Sequence, residues 1–339
     1  MTSGWGKLAG ADYGQRVAST TTAGKTKQDA PQQGGETLVT VLIAFGANLL
    51  IAVAKTVAAF ITGSASMVAE AAHSWADTGN EIFLLVADRR SGKGRDRKHP
   101  MGYGREAYVW SMFAAFGLFS AGAIVSIWHG ITELRDPEPA GDYLIAYIVL
   151  GIAFLLEGTS FLQALRQTRK TAASLDRAPI WHILNTSNPT LRAVFFEDAA
   201  ALIGLLIAGA GVFLHQLTGS PVPDAIGSIL VGLLLGVVAV VLIDRNRRFL
   251  VGEAVDPVVR SDVLADLIGR PDIDPVTYLH LEYVGPSRMY LVAAIDMVGD
   301  HAEHELAVRL RTVERELELN DKIEEAVLTL ATPNEPSLQ

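Results

Sequence analysis

The chain has 339 residues, half of them hydrophobic and 19% charged, with 28 basic against 37 acidic side chains and a formal net charge of −9. Soluble domains carry about a quarter charged residues, and the mean hydropathy here is +0.28, so an ordinary water-soluble fold is a poor match. The acidic balance argues against a nucleic-acid partner, and the absence of cysteine excludes disulfides and thiolate metal ligands.

Residues 1–36 are polar and rich in Gly, Thr and Gln, and read as a disordered tail without a cleavable signal. Six apolar stretches follow: Leu38–Ile61, Ser66–Ala87, Tyr108–Ile131, Tyr143–Leu165, Val194–Leu214 and Pro223–Ile243. A hydrocarbon core needs ~20 helical residues, so these predict an all-α six-helix transmembrane domain over 37–248. Charges interrupt some spans: Lys55 the first, Glu70 and Glu81 the second, Glu157 the fourth, Glu197 and Asp198 the fifth. The second connection is crowded with Arg89, Arg90, Lys93, Arg95, Arg97, Lys98 and Arg105, and Arg245, Arg247 and Arg248 follow the last span. The first connection has no charge and the fifth has no Lys or Arg. The excess of basic residues on one side places both termini in the cytoplasm, with the basic run read as a solvated loop.

Residues 249–335 read as a small cytoplasmic α+β domain. Asp256-Pro257 starts a helix to about Ile268. Val276–Val284 and Arg288–Val298 are predicted strands joined by a Gly-Pro-Ser turn. Glu303–Leu319 has the apolar period of a helix, through Leu306, Val308, Leu310, Val313 and Leu317, and Ala326–Ala331 is a last strand. The order α-β-β-α-β implies an open sheet covered by two helices. His280, His301 and His304 are read as surface histidines.

His73 and Asp77 are the most informative pair. They stand one helical turn apart and project from one face. An imidazole and a carboxylate so placed form half of a nitrogen–oxygen metal site, and ionisable groups at membrane depth mark ion paths. No His-Glu-x-x-His run is present, so an intramembrane metallohydrolase ranks low and the chain is read as a non-enzyme.

The stretch Gly63–Met67 with His73-Ser74-Trp75-Ala76-Asp77 resembles the second-helix signature of cation diffusion facilitators, as do His99–Gly104 and Asp224–Ser228. Asp77–Asn80, Glu157-Gly158-Thr159, Asn188-Pro189-Thr190 and Glu197–Gly204 are most similar to the mitochondrial zinc transporter nine branch. The resemblance implies a homodimeric exporter of divalent metals driven by protons, with a ferredoxin-like C-terminal domain and no cofactor beyond the transported ion. Zn²⁺ is the expected ion. Manganese, iron, cobalt or cadmium export is the alternative, and so is a transport-inactive scaffold or metal sensor. A bacterial plasma membrane is the expected location. The implied metal ligands are His73, Asp77 and Asp198, with Glu197 or a water completing the set, because Val194 stands where most of the family has a histidine. Asp96 and His99 match a secondary loop site, with Tyr103 replacing a usual histidine. Glu157 is a candidate for a proton path. Ala293, Leu330 and Thr332 fall where metal ligands usually stand in the C-terminal domain, and His304 alone matches, which implies a dimerisation role for that domain.

Overall fold

The computed structural model describes residues 34–136, 142–174, 177–332 and 334–338, with the side chains of 34–44 and 174 left aside. Most of the expected N-terminal tail lies outside the described residues. The membrane-type part comprises α1 (Gly34–Thr62), α2 (Ala65–Ser91), α3 (Glu106–Arg135), α4 (Tyr143–Ser174), the short α5 (Pro179–Asn185), α6 (Pro189–Thr218) and α7 (Val222–Val251). A helix of 30 residues is roughly 45 Å long, so several run well past the apolar stretches that mark them in the sequence. The terminal part adds α8 (Pro257–Ile268), β1 (Ile273–Gly285), β2 (Arg288–Met297), α9 (Glu303–Leu317) and β3 (Ile323–Leu330).

Local chemistry sets the helix ends. Gly63 takes φ 62°, turning the chain between α1 and α2. Ser64 then caps α2 by accepting the Met67 amide at 3.2 Å. Asn188 caps α6 in the same way, with Pro189 in the first turn. A π-helical segment, Ala115–Phe119, interrupts α3.

Among the described residues, five helices are long and apolar enough to cross a membrane: Phe45–Thr62 of α1, then α3, α4, α6 and α7. They show lipid-type exteriors, with Leu50, Phe60, Phe116, Trp128, Leu155, Leu206 and Val240 exposed, which soluble monomers avoid in such number. Helix α2 differs. It packs against α1, α3, α6 and α7, and it is too polar to meet the same standard because its inward face carries Glu70, His73, Ser74, Asp77 and Asn80, all buried.

The C-terminal sheet has the order β1-β2-β3, antiparallel between the first pair and parallel between the second. A parallel neighbour requires a crossover, which α9 supplies. Met289, Leu291, Ala293, Ile295 and Met297 of β2 point into a core with Val263, Leu264 and Leu267 of α8 and Val313 and Leu317 of α9. The expected apolar face of α9 needs one correction: Val308 is 67% exposed. Leu306, Leu310, Val313 and Leu317 follow a stripe of three- and four-residue steps. Val308 lies two residues after Leu306, about 200° around the helix and off the stripe.

The basic second connection is partly engaged by the C-terminal sheet. Arg95 Nε lies 2.9 Å from Glu324 Oε1, and Arg105 pairs with Glu282. The Ser287 amide donates to Ser187 Oγ at 3.1 Å, and Tyr108 donates to the Ser187 carbonyl at 2.8 Å.

Close helix approach in the membrane part depends on small residues. A Cβ at Gly232 would stand 2.9 Å from the Ala123 carbonyl oxygen, and one at Gly130 would stand 2.7 Å from that of Ala225, both backbone atoms at the contact of α3 and α7. Gly151 and Gly209 face open space. Gly130→Ala or Gly232→Ala should therefore destabilise the detergent-solubilised protein by about 1–3 kcal/mol, whereas Gly151→Ala and Gly209→Ala should be neutral or slightly stabilising. Thermal unfolding of the four variants checks this; equal effects at all four would contradict the packing described.

Candidate metal site

A cavity of about 210 Å³ opens between α1, α2, α4 and α6. Asp77 and Glu81 of α2, Glu157 of α4, and Glu197 and Asp198 of α6 line it, with Asn48, Ser74, Ser160 and Val194 among the rest. Five carboxylates converge on it from three helices. Their mutual repulsion favours the uptake of positive charge, metal or proton.

These carboxylates are anchored one oxygen at a time. Asn80 Nδ2 donates to Glu197 Oε2 at 2.7 Å, and Asn48 Nδ2 donates to Glu81 Oε1 at 2.6 Å. Ser160 Oγ donates to Asp198 Oδ2 at 2.8 Å, and Lys55 Nζ donates to Glu157 Oε1 at 3.0 Å. The second oxygens of Glu81, Glu157 and Glu197 are buried and accept no hydrogen bond. Such orphaned acceptors are costly, and outer donors that fix one oxygen leave the other oriented toward an ion.

The expected ligands separate into groups. Asp77, Glu197 and Asp198 share the cavity lining, and Asp77 and Glu197 lie against one another. His73 is fully buried beside them, with Nε2 3.3 Å from Asp77 Oδ1, but it is not part of the lining. Among the described residues, no group of three His, Asp or Glu is already arranged around one point as a metal would require. Glu197 and Asp198 are about 100° apart on α6 and still serve one cavity, because Glu197 is held toward α2 by Asn80 and Asp198 toward α4 by Ser160.

The sequence motifs do not select Glu81 or the anchoring residues Asn48, Asn80 and Ser160 as parts of a site. One signal was present: Glu70, His73, Asp77 and Glu81 follow helical steps of three, four and four, a polar stripe down one face of α2. The anchors carry no such signal, since their partners lie 33 to 117 positions away.

Asp96 and His99 lie elsewhere, exposed in the connection between α2 and α3. Asp96 accepts the amides of Lys98 and His99 at 2.8 and 2.7 Å and the Tyr103 hydroxyl at 2.7 Å. The Tyr103 bond, then the His99 amide, hold the Asp96 carboxyl down to about 2. A depressed carboxylate contributes its interaction above its ordinary pKa and loses it as pH falls through the folded value, so this turn persists through all ordinary pH.

Residues 41–251 match the cation efflux transmembrane domain family. The chain belongs to the cation efflux family. Members of this family are membrane transporters of divalent cations, not enzymes. Metal tolerance protein C4 of Arabidopsis thaliana is 37% identical over 259 residues, which is 76% of this chain and 57% of that protein. The mitochondrial proton-coupled zinc antiporter SLC30A9 is 33% identical in Xenopus laevis and 31% in Homo sapiens, each over 76% of this chain and 46% of the relative. The chain thus spans about half the length of the curated relatives it matches. These relatives come from a plant and from vertebrate mitochondria, and they lend no support to the expected bacterial plasma membrane.

In this cation efflux chain, Tyr103→Phe should move Asp96 titration from about 2 up toward the ordinary aspartate value of about 4, followed by NMR of labelled carboxyl groups. No movement would mean that the backbone amides alone hold it down.

Proposed function

We propose that the protein exchanges Zn²⁺ for protons across a membrane, binding the metal in the cavity between α1, α2, α4 and α6. The observation that carries this reading is the set of five carboxylates lining one cavity, several presenting a buried and unpartnered oxygen. The names of the SLC30A9 relatives support zinc and proton coupling.

Helix α2 is the sixth span in this reading. Its 27 residues reach roughly 40 Å, and Glu70, His73 and Asp77 are buried in protein rather than turned to lipid, as intramembrane charges are, while Asp88, Arg89 and Arg90 are exposed at its C-terminal end. Asp77 and Asp198 bind the ion as carboxylates, Glu197 adds a third, and His73 supplies imidazole from behind Asp77 after a modest side-chain turn. Metal and protons compete for these atoms, because ligation needs the deprotonated forms. His73 is the natural proton carrier, as imidazole titrates near neutrality. Exposure of the cavity to each side in turn, by rocking of helix groups, would complete the cycle. Both termini face the cytoplasm in this account, transport is outward, and the C-terminal domain, of ferredoxin-like type, joins two copies of the chain. No resident cofactor is needed.

A second reading concerns the ion. The cavity lining is rich in oxygen and poor in nitrogen, and such sites suit Mn²⁺ and related hard ions. Competition among Zn²⁺, Mn²⁺, Fe²⁺, Co²⁺ and Cd²⁺ for pH-gradient-driven uptake into proteoliposomes separates the two.

The same assay orders the ligands. Asp77→Ala should abolish uptake in folded protein. Asp198→Asn should reduce it more than Glu197→Gln, whose partner Asn80 can still bond an amide oxygen. Normal uptake by Asp77→Ala would refute the site, and the opposite ranking on α6 would make Glu197 the principal ligand there.

A further inference from the structure

The cavity has a feature that neither the histidine–aspartate pair nor the α6 carboxylates explain. Lys55 of α1 is completely buried. Its ammonium lies 2.9 Å from Glu70 Oε2 on α2 and 3.0 Å from Glu157 Oε1 on α4. One cation therefore ties three helices together. Buried ion pairs are weak contributors to net stability, because desolvation offsets most of the attraction, so helix packing alone is a poor reason for this triad.

The free oxygen supplies a better one. Glu157 Oε2 is buried and accepts no hydrogen bond, while the Glu157 side chain, about 11% exposed, lines the cavity with Asp77, Glu197 and Asp198. Lys55 fixes one oxygen of Glu70 and one of Glu157 and leaves the second oxygen of each without a hydrogen bond, but of the two carboxylates Glu157 is the one that lines the cavity. Val194, at the same cavity wall, offers the ion no donor atom.

We infer that Glu157 is a direct ligand of the transported cation and that Lys55 is its positioning residue, holding one carboxylate oxygen so that the other faces the ion. This rests on the reading of the cavity as the transport site. Asn48, Asn80 and Ser160 anchor their carboxylates as neutral donors, whereas Lys55 brings a positive charge. That charge holds Glu157 by an ion pair as well as a hydrogen bond, a stiffer anchor than a neutral donor supplies.

The test uses the full chain in proteoliposomes, with KM and maximal rate for Zn²⁺ and Mn²⁺ measured separately under an imposed pH gradient. Glu157→Asp keeps the charge but withdraws the carboxyl by one methylene, and should raise KM for both ions by about 10-fold with little change in maximal rate. Glu157→His puts nitrogen at the ion and should raise the preference for Zn²⁺ over Mn²⁺ several-fold. Lys55→Met should raise KM as Glu157→Asp does, and Lys55→Arg should restore most of it. Parental KM and ion preference in both Glu157 variants would overturn the inference. Failure of both to yield monodisperse protein would overturn it as well, since the triad would then be a packing element. Asp77→Ala is run beside them. Uptake by that variant refutes the cavity as transport site, whereas its loss together with parental Glu157 variants refutes only the ligand role of Glu157 and the positioning role of Lys55.

Discussion

Ionisable side chains on α2 have to be buried among apolar helices, and the arrangement of the membrane part follows from that constraint. Glu70, His73, Asp77 and Asn80 face inward, and helices α1, α4 and α6 supply groups that meet them or extend the polar interior. Helix α1 brings Lys55 and Asn48, α4 brings Glu157 and Ser160, and α6 brings Glu197 and Asp198. Lipid offers no hydrogen bonds, so a polar helix can persist there only at the centre of a bundle. The apolar outer faces of α3, α4, α6 and α7 are the complement of that choice, and the glycines between α3 and α7 allow the bundle to close around α2.

The cavity differs from a passive polar core in how its hydrogen bonds are distributed. A structural network tends toward full satisfaction. Here neutral amides and a hydroxyl each hold a single carboxylate oxygen, one ammonium holds one oxygen on each of two carboxylates, and buried second oxygens are left open. That pattern stores binding capacity at some cost in stability, as functional sites commonly do.

The C-terminal domain was readable almost element by element, because turn chemistry and alternation are local signals. The Gly-Pro-Ser turn and the alternating β2 side chains appear as expected, and only Val308 was misplaced, by treating every apolar residue of α9 as part of one face. The membrane helices were legible as apolar runs, yet their ends were not, since helices continue past the apolar stretch wherever capping and neighbours permit. The His73–Asp77 pair lies on a helix that lines the cavity, with Asp77 in the lining and His73 behind it. The resemblance also pointed to Glu157, Glu197 and Asp198, which share the cavity, whereas the surrounding donors Asn48, Lys55, Asn80 and Ser160 did not announce themselves, being polar residues of ordinary kind. The basic second connection was legible as charge but not as contact: Arg95 and Arg105 find Glu324 and Glu282 more than a hundred positions away.

Where the ion sits is the central question, and zinc-edge X-ray absorption on protein loaded with one equivalent of Zn²⁺ addresses it most directly. The account predicts a light-atom shell at about 2.0–2.2 Å, mostly oxygen, with a single imidazole contribution that disappears in His73→Ala. The bound zinc itself should be lost when Asp77 and Asp198 are both replaced by asparagine. A spectrum showing two or more imidazoles, or one unchanged by the double replacement, would place the ion outside the cavity and contradict the account.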